Sequence, residues 1–273
     1  MPGLRALPGL RASPPAFLLL LALALPRGSL AVQQLEPGSR SAAAAARVAL
    51  QYRNFKAGSL GGLRVLGHVR KATLKNIPES GHKYYLQFST EDYRTGEDAG
   101  NCLATVLFPK KKSRPVVSIK CSHTKDQKEI QEEDNKFYQR IRHLSKPIIA
   151  NNIPDSYGNI EPALEPVWAL AVAGSSSIVW EKSTETLAYF LAQVKSVRQW
   201  IRKDDFVEFD YTVLLHEMPT QEIISCHMRL TWLPGQPLKV KHFCAPEGHG
   251  AEQGSGAEAG SAAGPAAEKG ASF

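Results

Sequence analysis

Four cysteines carry the clearest chemistry in this 273-residue chain. They bound two similar segments, one from Cys102 to Cys121 and the other from Cys226 to Cys244. Each segment alternates apolar and polar residues, passes through a proline-containing turn and then alternates again, which is typical of a β-hairpin. The four cysteines lack the Cys-x-x-Cys spacing that zinc sites prefer. Their pattern therefore favours disulfide bonds over a metal site.

The register of the two hairpins supports this interpretation. If the first cysteine of each segment lies opposite the last, Val106 faces Val117 and Leu230 faces Val240 on the same side of the sheet. Directly opposed cysteines on antiparallel strands have the short separation that a disulfide needs. Pairing across the two segments is the alternative, and it would break both hairpins. The predicted disulfides are Cys102–Cys121 and Cys226–Cys244, each closing a loop of about 20 residues.

The sequence contains no motif of a common enzyme class. It lacks the Gly-x-Ser-x-Gly, P-loop and His-Glu-x-x-His patterns. His216 and Glu217 begin like a zinc-protease motif, but no second histidine follows at the required spacing. We therefore predict no catalytic residue, no cofactor and no metal ligand.

Composition limits the classes of partner. The chain is 43% hydrophobic with a formal charge of +7, enough for one large domain or two small ones. Its densest basic run, Lys110 to Arg114, falls where a turn is expected, and no aromatic residues flank it as a stacking platform for bases. We therefore predict that the protein has no nucleic-acid partner.

The N-terminus predicts entry into the secretory pathway. Arg5 and Arg11 precede an apolar run from Ala16 to Leu25, and the small residues from Ser29 to Ala31 suit cleavage. Ten apolar residues are too few to cross a bilayer, which needs about 20. Residues 1–31 are interpreted as a cleaved signal peptide, with an uncleaved signal anchor as the alternative. The protein is thus expected to be secreted or associated with a membrane by a single pass, and disulfides agree with that compartment.

The body of the chain divides into two halves with the same order of elements. An alanine-rich helix is predicted from Ser41, as N-cap, through Phe55 to a stop at Gly58, and a second helix from Glu161 to a stop at Gly174. Two alternating strands then precede each cysteine hairpin. In the first half they are residues 63–74 and 82–90, and in the second half residues 187–201 and 206–216. Each half is therefore predicted as one helix packed on a four-stranded antiparallel sheet, an α+β fold.

A charged segment connects the halves. Thr124 and Gln127 suggest a capping box, and Ile130, Phe137, Ile141 and Leu144 form a narrow apolar stripe. We predict a linker helix within residues 123–154, between domains at 41–122 and 155–245; a membrane-surface or calmodulin-target helix is the alternative. Residues 246–273 are of low complexity and are expected to be disordered.

One helix followed by four antiparallel strands resembles the cystatin fold, and two such units joined by a charged helix resemble the latexin family. The resemblance covers about Ser41 to Cys244 and is most specific in SIVWEKSTETLAYFLAQVKSVRQW and DDFVEFDYTVLLHEMPTQEIISC. It implies a non-catalytic inhibitor of zinc metallocarboxypeptidases. One relative in the family is linked to a tubulin-trimming cytoplasmic carboxypeptidase. The alternative is a membrane-associated interaction or signalling protein whose cystatin units are only structural. The residues that contact a carboxypeptidase stay unknown.

The other inhibitory motif of cystatins is missing. Cystatins block papain-type proteases with a Gln-x-Val-x-Gly hairpin, and the nearest string here is Gln193–Val197, which has valine in place of the glycine. A branched residue does not readily adopt the backbone geometry that glycine permits. We therefore predict an ordinary strand there, with Lys195 in solvent and the valines packed.

Overall fold

The structure, a computed structural model, describes residues 32–111 and 113–245. These residues form three helices, α1 (Arg40–Ala57), α2 (Gln127–Arg142) and α3 (Glu165–Lys182), and ten strands. The first five strands are β1 (Val32–Leu35), β2 (Arg64–Ile77), β3 (Gly81–Asp92), β4 (Asp98–Pro109) and β5 (Val116–Cys121). The others are β6 (Ile149–Ile153), β7 (Tyr189–Trp200), β8 (Val207–Glu217), β9 (Ile223–Trp232) and β10 (Lys239–Cys244). The predicted leader and tail lie outside the described residues.

The strands form two antiparallel sheets of five, ordered β1-β2-β3-β4-β5 and β10-β9-β8-β7-β6. The α+β class is confirmed, but four strands per sheet was wrong. The short strand β1 pairs with β2, Val32 opposite Lys75, and β6 pairs with β7, Ile149 opposite Arg198. Both extra strands are edge strands of four or five residues, too short for a clear alternating pattern.

The two cysteine hairpins have the predicted register. Cys102 lies opposite Cys121 and Val106 opposite Val117 in one sheet. In the other sheet Cys226 lies opposite Cys244 and Leu230 opposite Val240. The first cysteine of each pair is fully buried, as are Val106 and Leu230. Alternation of apolar residues was sufficient to set this register because a slip by one residue would turn the apolar set toward solvent.

Helix α1 begins two residues earlier than predicted. Its N-cap is Ser39, whose Oγ accepts a hydrogen bond of 3.4 Å from the backbone N–H of Ala42, so the assignment of Ser41 was wrong. Its end is as predicted. Gly58 follows the helix in the left-handed conformation, with φ +58°, and its N–H donates to the carbonyl of Asn54.

Helix α3 continues through Gly174 to Lys182, so the predicted stop at Gly174 was wrong. This glycine permits a close approach to the sheet. A Cβ atom at Gly174 would lie 2.5 Å from Cδ1 of Leu230 and 2.9 Å from Sδ of Met228. The residue that looks like a helix terminator in the sequence is thus required by the packing of the helix on β9.

Helix α2 lies inside the predicted linker, but its cap differs. Asp126 is the N-cap, and its carboxylate accepts from the N–H of Lys128, whereas Thr124 donates its hydroxyl to the carbonyl of Asp98. Ile130 and Ile141 of the apolar stripe are buried, and Leu144, beyond the helix end, is 45% exposed. Strand β6 follows within the same segment and pairs with the second sheet.

Each sheet is covered on its inner face by one helix. Helix α1 packs on strands β2–β5, α3 packs on β7–β10, and the two helices pack against each other. The halves therefore stack as sheet, helix, helix, sheet, with the core on either side of the helix pair. Within the described residues, no helix has the length and apolarity needed to cross a membrane.

Candidate functional site

Two tryptophans connect the halves across the helix pair. Trp180, in the last turn of α3, lies in the core of the first half, with its ring 4.9 Å from that of Tyr52 and 6.3 Å from that of Phe55. Its indole Nε1–H donates to the carbonyl of Pro115 at 2.9 Å. The guanidinium of Arg114 lies 4.9 Å above the same ring. The turn between β4 and β5 is therefore fixed by a residue of the other half.

The reverse contact is made by Trp232 of β9. Its Nε1–H donates to the carbonyl of Gly58 at 2.8 Å, and the ring is fully buried. A Cβ on Gly58 would lie only 3.0 Å from the carbonyl oxygen of Gln236, in the turn after β9. Leu60 and Leu63, which follow α1, are buried in the core of the second half. Each half thus inserts side chains into the other, and we call this contact region the seam.

Helix α2 lies along one side of the seam and bonds to both halves. Asp134 is buried and accepts hydrogen bonds of 2.8 Å from the N–H groups of both Leu60 and Gly61. Burial raises the pKa of Asp134, although these bonds act in the opposite direction. Toward the other half, Tyr138 donates its hydroxyl to the carbonyl of Asp205 at 2.7 Å. The linker is therefore a third fixed part of the seam.

On another part of the seam, one carboxylate of the second half binds two residues of the first half. Glu185 lies just after α3, 2.7 Å from Nδ1 of His82, and accepts a hydrogen bond from the hydroxyl of Tyr84. Burial and the neighbouring Glu185 raise the pKa of Tyr84 well above its usual value, so the phenol stays protonated. We call this group of three residues the clasp.

A depression of about 400 Å³ lies at the clasp and is lined by both halves. Lys110 and Lys111 come from the turn after β4, and Ser183 and Thr184 come from the end of α3. Among the described residues, the buried Oγ of Ser183 has no hydrogen-bond partner. The ammonium groups of Lys110 and Lys111 are exposed, and that of Lys110 lies 3.8 Å from the carboxylate of Glu79. These two cations give the depression the chemistry to receive a carboxylate of a partner.

The predicted site residues are distributed between the two hairpins. The structure joins Cys102 to Cys121 and Cys226 to Cys244, with Cα atoms 4.1 and 3.9 Å apart. The four cysteines are thus brought together in pairs, and each pair joins the two strands of one hairpin at the end away from the turn. The string Gln193–Val197 lies in β7, with Val194 and Val197 buried and Lys195 exposed, as predicted.

The seam residues were missed by sequence reasoning because their partners are distant in sequence. Trp180 and Pro115 are 65 residues apart, and Trp232 and Gly58 are 174 apart. Periodicity reports only which face of an element is buried, not which element covers it. In the part of the chain that the structure describes, no group of three or more His, Cys, Asp or Glu residues could hold a metal ion.

The arrangement is a pair of α+β halves, each with one disulfide inside its own hairpin, that pack against each other through α1 and α3. The chain matches the latexin family over residues 35–250. It is 37% identical to human latexin over 77% of this chain and 95% of latexin. This chain belongs to the latexin family.

Two further relatives resemble it. Ovocalyxin-32 of Gallus gallus is 49% identical over 98% of this chain and all of its own length. The human retinoic acid receptor responder protein 1 is 44% identical over 73% of this chain and 70% of that protein. Among solved structures, mouse fetuin-B covers 78% of this chain and 70% of its own at 14% identity, with a TM-score of 0.29. That superposition is too weak to support any argument.

Proposed function

We propose that this protein is a non-catalytic protease inhibitor of the latexin type, with a zinc metallocarboxypeptidase as its target. Membership of the latexin family is the observation that carries this proposal. Each half is proposed to be a cystatin-like unit, with 41–122 and 155–245 as the units and the segment 123–154 between them. In this reading β1 and β6 are edge additions to the four-stranded sheets.

The inhibitory contact is proposed to be the seam surface at the clasp. The depression there is formed by Lys110 and Lys111 from one half and by Ser183 and Glu185 from the other. Its shape therefore depends on the relative position of the halves, which Trp180 and the other seam residues fix. A surface ordered before binding loses less conformational entropy when it meets an enzyme. Such a surface can cover the entrance of a protease and exclude substrate without being cut.

The compartment of the target follows from the disulfides. Bonds such as Cys102–Cys121 and Cys226–Cys244 form and persist in oxidising compartments. We therefore propose a secreted protein that meets a carboxypeptidase in the secretory pathway or outside the cell. A cytoplasmic, tubulin-trimming carboxypeptidase does not share that compartment.

Titration of active metallocarboxypeptidases with the full-length protein tests the proposal. We expect stoichiometric inhibition by the native chain, and at least about tenfold weaker inhibition by K110E/K111E, since two charges in the contact are reversed. The control is K71E/K120E, which makes the same charge change at two exposed residues on the outer face of the first sheet. Lack of inhibition by the native protein across the class rejects the function. Equal losses of inhibition in K110E/K111E and K71E/K120E reject the depression at the clasp as the inhibitory contact.

A further inference from the structure

The outer face of the second sheet, opposite α3, carries an ordered row of long side chains. Ile149, Arg198, Asp210, Arg229 and Lys241 lie directly opposite one another, one on each strand from β6 to β10. Neighbouring strands lie about 4.8 Å apart, so the row crosses about 19 Å. Three of its five residues are cations.

The single acid of this row is already neutralised. Arg229 donates to both carboxylate oxygens of Asp210, at 2.6 and 2.8 Å, and this pairing lowers the pKa of Asp210. Arg198 and Lys241, together with Lys195 nearby, are exposed and form no ion pair among the described residues. A second acid on this face, Glu208, lies 3.8 Å from Arg229 and also pairs with Arg202. Arg198, Lys241 and Lys195 are therefore cations of this face that have no acid within ion-pair distance in the described part of the chain.

The next row forms the floor of a trough. It consists of short polar side chains, one on each of four neighbouring strands: Asn151, Ser196, Thr212 and His227. These four residues line two adjoining depressions of about 600 and 530 Å³. Hydroxyl, amide and imidazole groups on the floor can both donate and accept hydrogen bonds.

Aromatic rings stand at two edges of this surface. The guanidinium groups of Arg198 and Arg229 lie 4.9 and 5.9 Å from the ring of Trp200, whose Nε1–H donates to Asp210 at 2.6 Å. Phe243 of β10 lies opposite His227 and is 66% exposed. An exposed ring offers a flat apolar surface for the C–H face of a sugar.

We propose that this trough binds a sulfated polysaccharide. Cations along one side match sulfate or carboxylate groups, the polar floor matches sugar hydroxyls, and the exposed ring of Phe243 matches a pyranose face. The length of the trough admits several sugar rings. Such polyanions are found outside cells, the same oxidising side on which the disulfides persist.

Two other polyanions fit the surface less well. An acidic peptide would need a free strand edge or apolar side-chain pockets. The sheet has free edges at β6 and β10, the two ends of the trough, whereas β7, β8 and β9 between them are paired on both sides and the floor is polar. Single-stranded nucleic acid needs several aromatic platforms for successive bases. Here the ring of Trp200 is already flanked by two guanidinium groups.

The test measures binding of the full-length protein to heparin by titration calorimetry at several salt concentrations. We expect steep weakening with salt, as for any polyanion whose counterions are released. The double variant R198A/K241A should bind at least about tenfold more weakly. The matched control K71A/K120A removes the same charge from the corresponding row of the first sheet, where Leu103 is 62% exposed, and should change the affinity less than about twofold.

Two further probes separate the polysaccharide from other acids. Thr212→Val keeps the shape of the floor but removes a hydroxyl, and should weaken heparin binding while leaving the weak binding of poly-glutamate unchanged. Uncharged dextran should not bind. Equal losses in the two double variants would show that only the overall charge of +7 matters and would overturn the site. Equal affinity for poly-glutamate or single-stranded DNA would overturn the assignment to a polysaccharide.

Discussion

Asp92, at the end of β3, joins the first sheet to the segment that leads into α2. Its Oδ2 lies 2.9 Å from Nζ of Lys125, and its Oδ1 accepts hydrogen bonds from the N–H groups of Arg94 and Thr95. Burial by itself raises the pKa of Asp92. The ammonium of Lys125 and the two N–H groups more than offset burial, so the pKa lies below its ordinary 3.8.

This pairing predicts a loss of stability in acid. Because the folded-state pKa of Asp92 is lowered, its carboxylate contributes stability above the unfolded value near 3.8, and that contribution disappears as the pH falls through the folded value. Asp92→Asn should therefore lower the urea midpoint at pH 6 and make a much smaller difference at pH 2.5. The control is Glu132→Ala, at an exposed position on α2. An equal effect of Asp92→Asn at both pH values would contradict the role of charge.

Single residues also show where prediction from the sequence ends. Lys195, Val194 and Val197 were assigned correctly because a strand alternates its faces. Asp134 looked like one more acid on a charged helix, yet it is buried and binds two backbone N–H groups more than 70 residues away. No local pattern distinguishes it, because its role depends on the loop that α2 packs against.

At the scale of elements, the hairpins were the most predictable part. Their register follows from the apolar residues, and the cysteines fall on the same face. The edge strands were not predictable, since β1 and β6 gain their conformation from pairing with β2 and β7. The end of α3 was misplaced because Gly174 serves the contact between helix and sheet, which a capping rule does not consider.

The two disulfides should stabilise their hairpins to a similar degree. The bridged cysteines are separated by 19 residues in the first hairpin and 18 in the second, so chain-entropy arguments predict similar contributions of about 2 to 4 kcal/mol. Replacing Cys226 and Cys244 together with alanine should lower the free energy of unfolding by that amount without changing the fold. Urea denaturation followed by circular dichroism measures the loss.

Replacement of Cys102 and Cys121 is the matched comparison for this measurement. Peptide mapping of the non-reduced protein should find the two bonds within hairpins and none between them. A peptide linking Cys121 to Cys226 would contradict the pairing. A loss well under 1 kcal/mol in both variants would show that the cysteines stay reduced in the compartment where the protein folds.

At the scale of the whole molecule, the halves share their cores. Trp180 of the second half is buried among residues of the first, and Leu60 and Leu63 of the first are buried among residues of the second. Burial of each of these large apolar side chains contributes roughly 1.5 to 3 kcal/mol to the free energy of unfolding. Separation of the halves would expose all of them, together with the buried acceptors of the two indole N–H groups.

The chain should therefore unfold in one transition, and neither half should fold by itself. Residues 32–126 and 143–245 expressed separately should lack a cooperative thermal transition and dispersed amide resonances, whereas residues 32–245 should show both. Trp232→Phe removes the bond to Gly58 inside a full-length chain and should lower the midpoint of the whole transition. Trp200→Phe removes an indole bond to Asp210 on the exposed outer face of the second sheet and should lower the midpoint much less.

Inhibition should follow the same rule, surviving removal of the residues after Ala245 but not loss of either half, because the clasp contains residues of both. An isolated half that melts cooperatively, or that inhibits with full potency, would show that the seam joins two independent domains and would place the inhibitory surface within one of them.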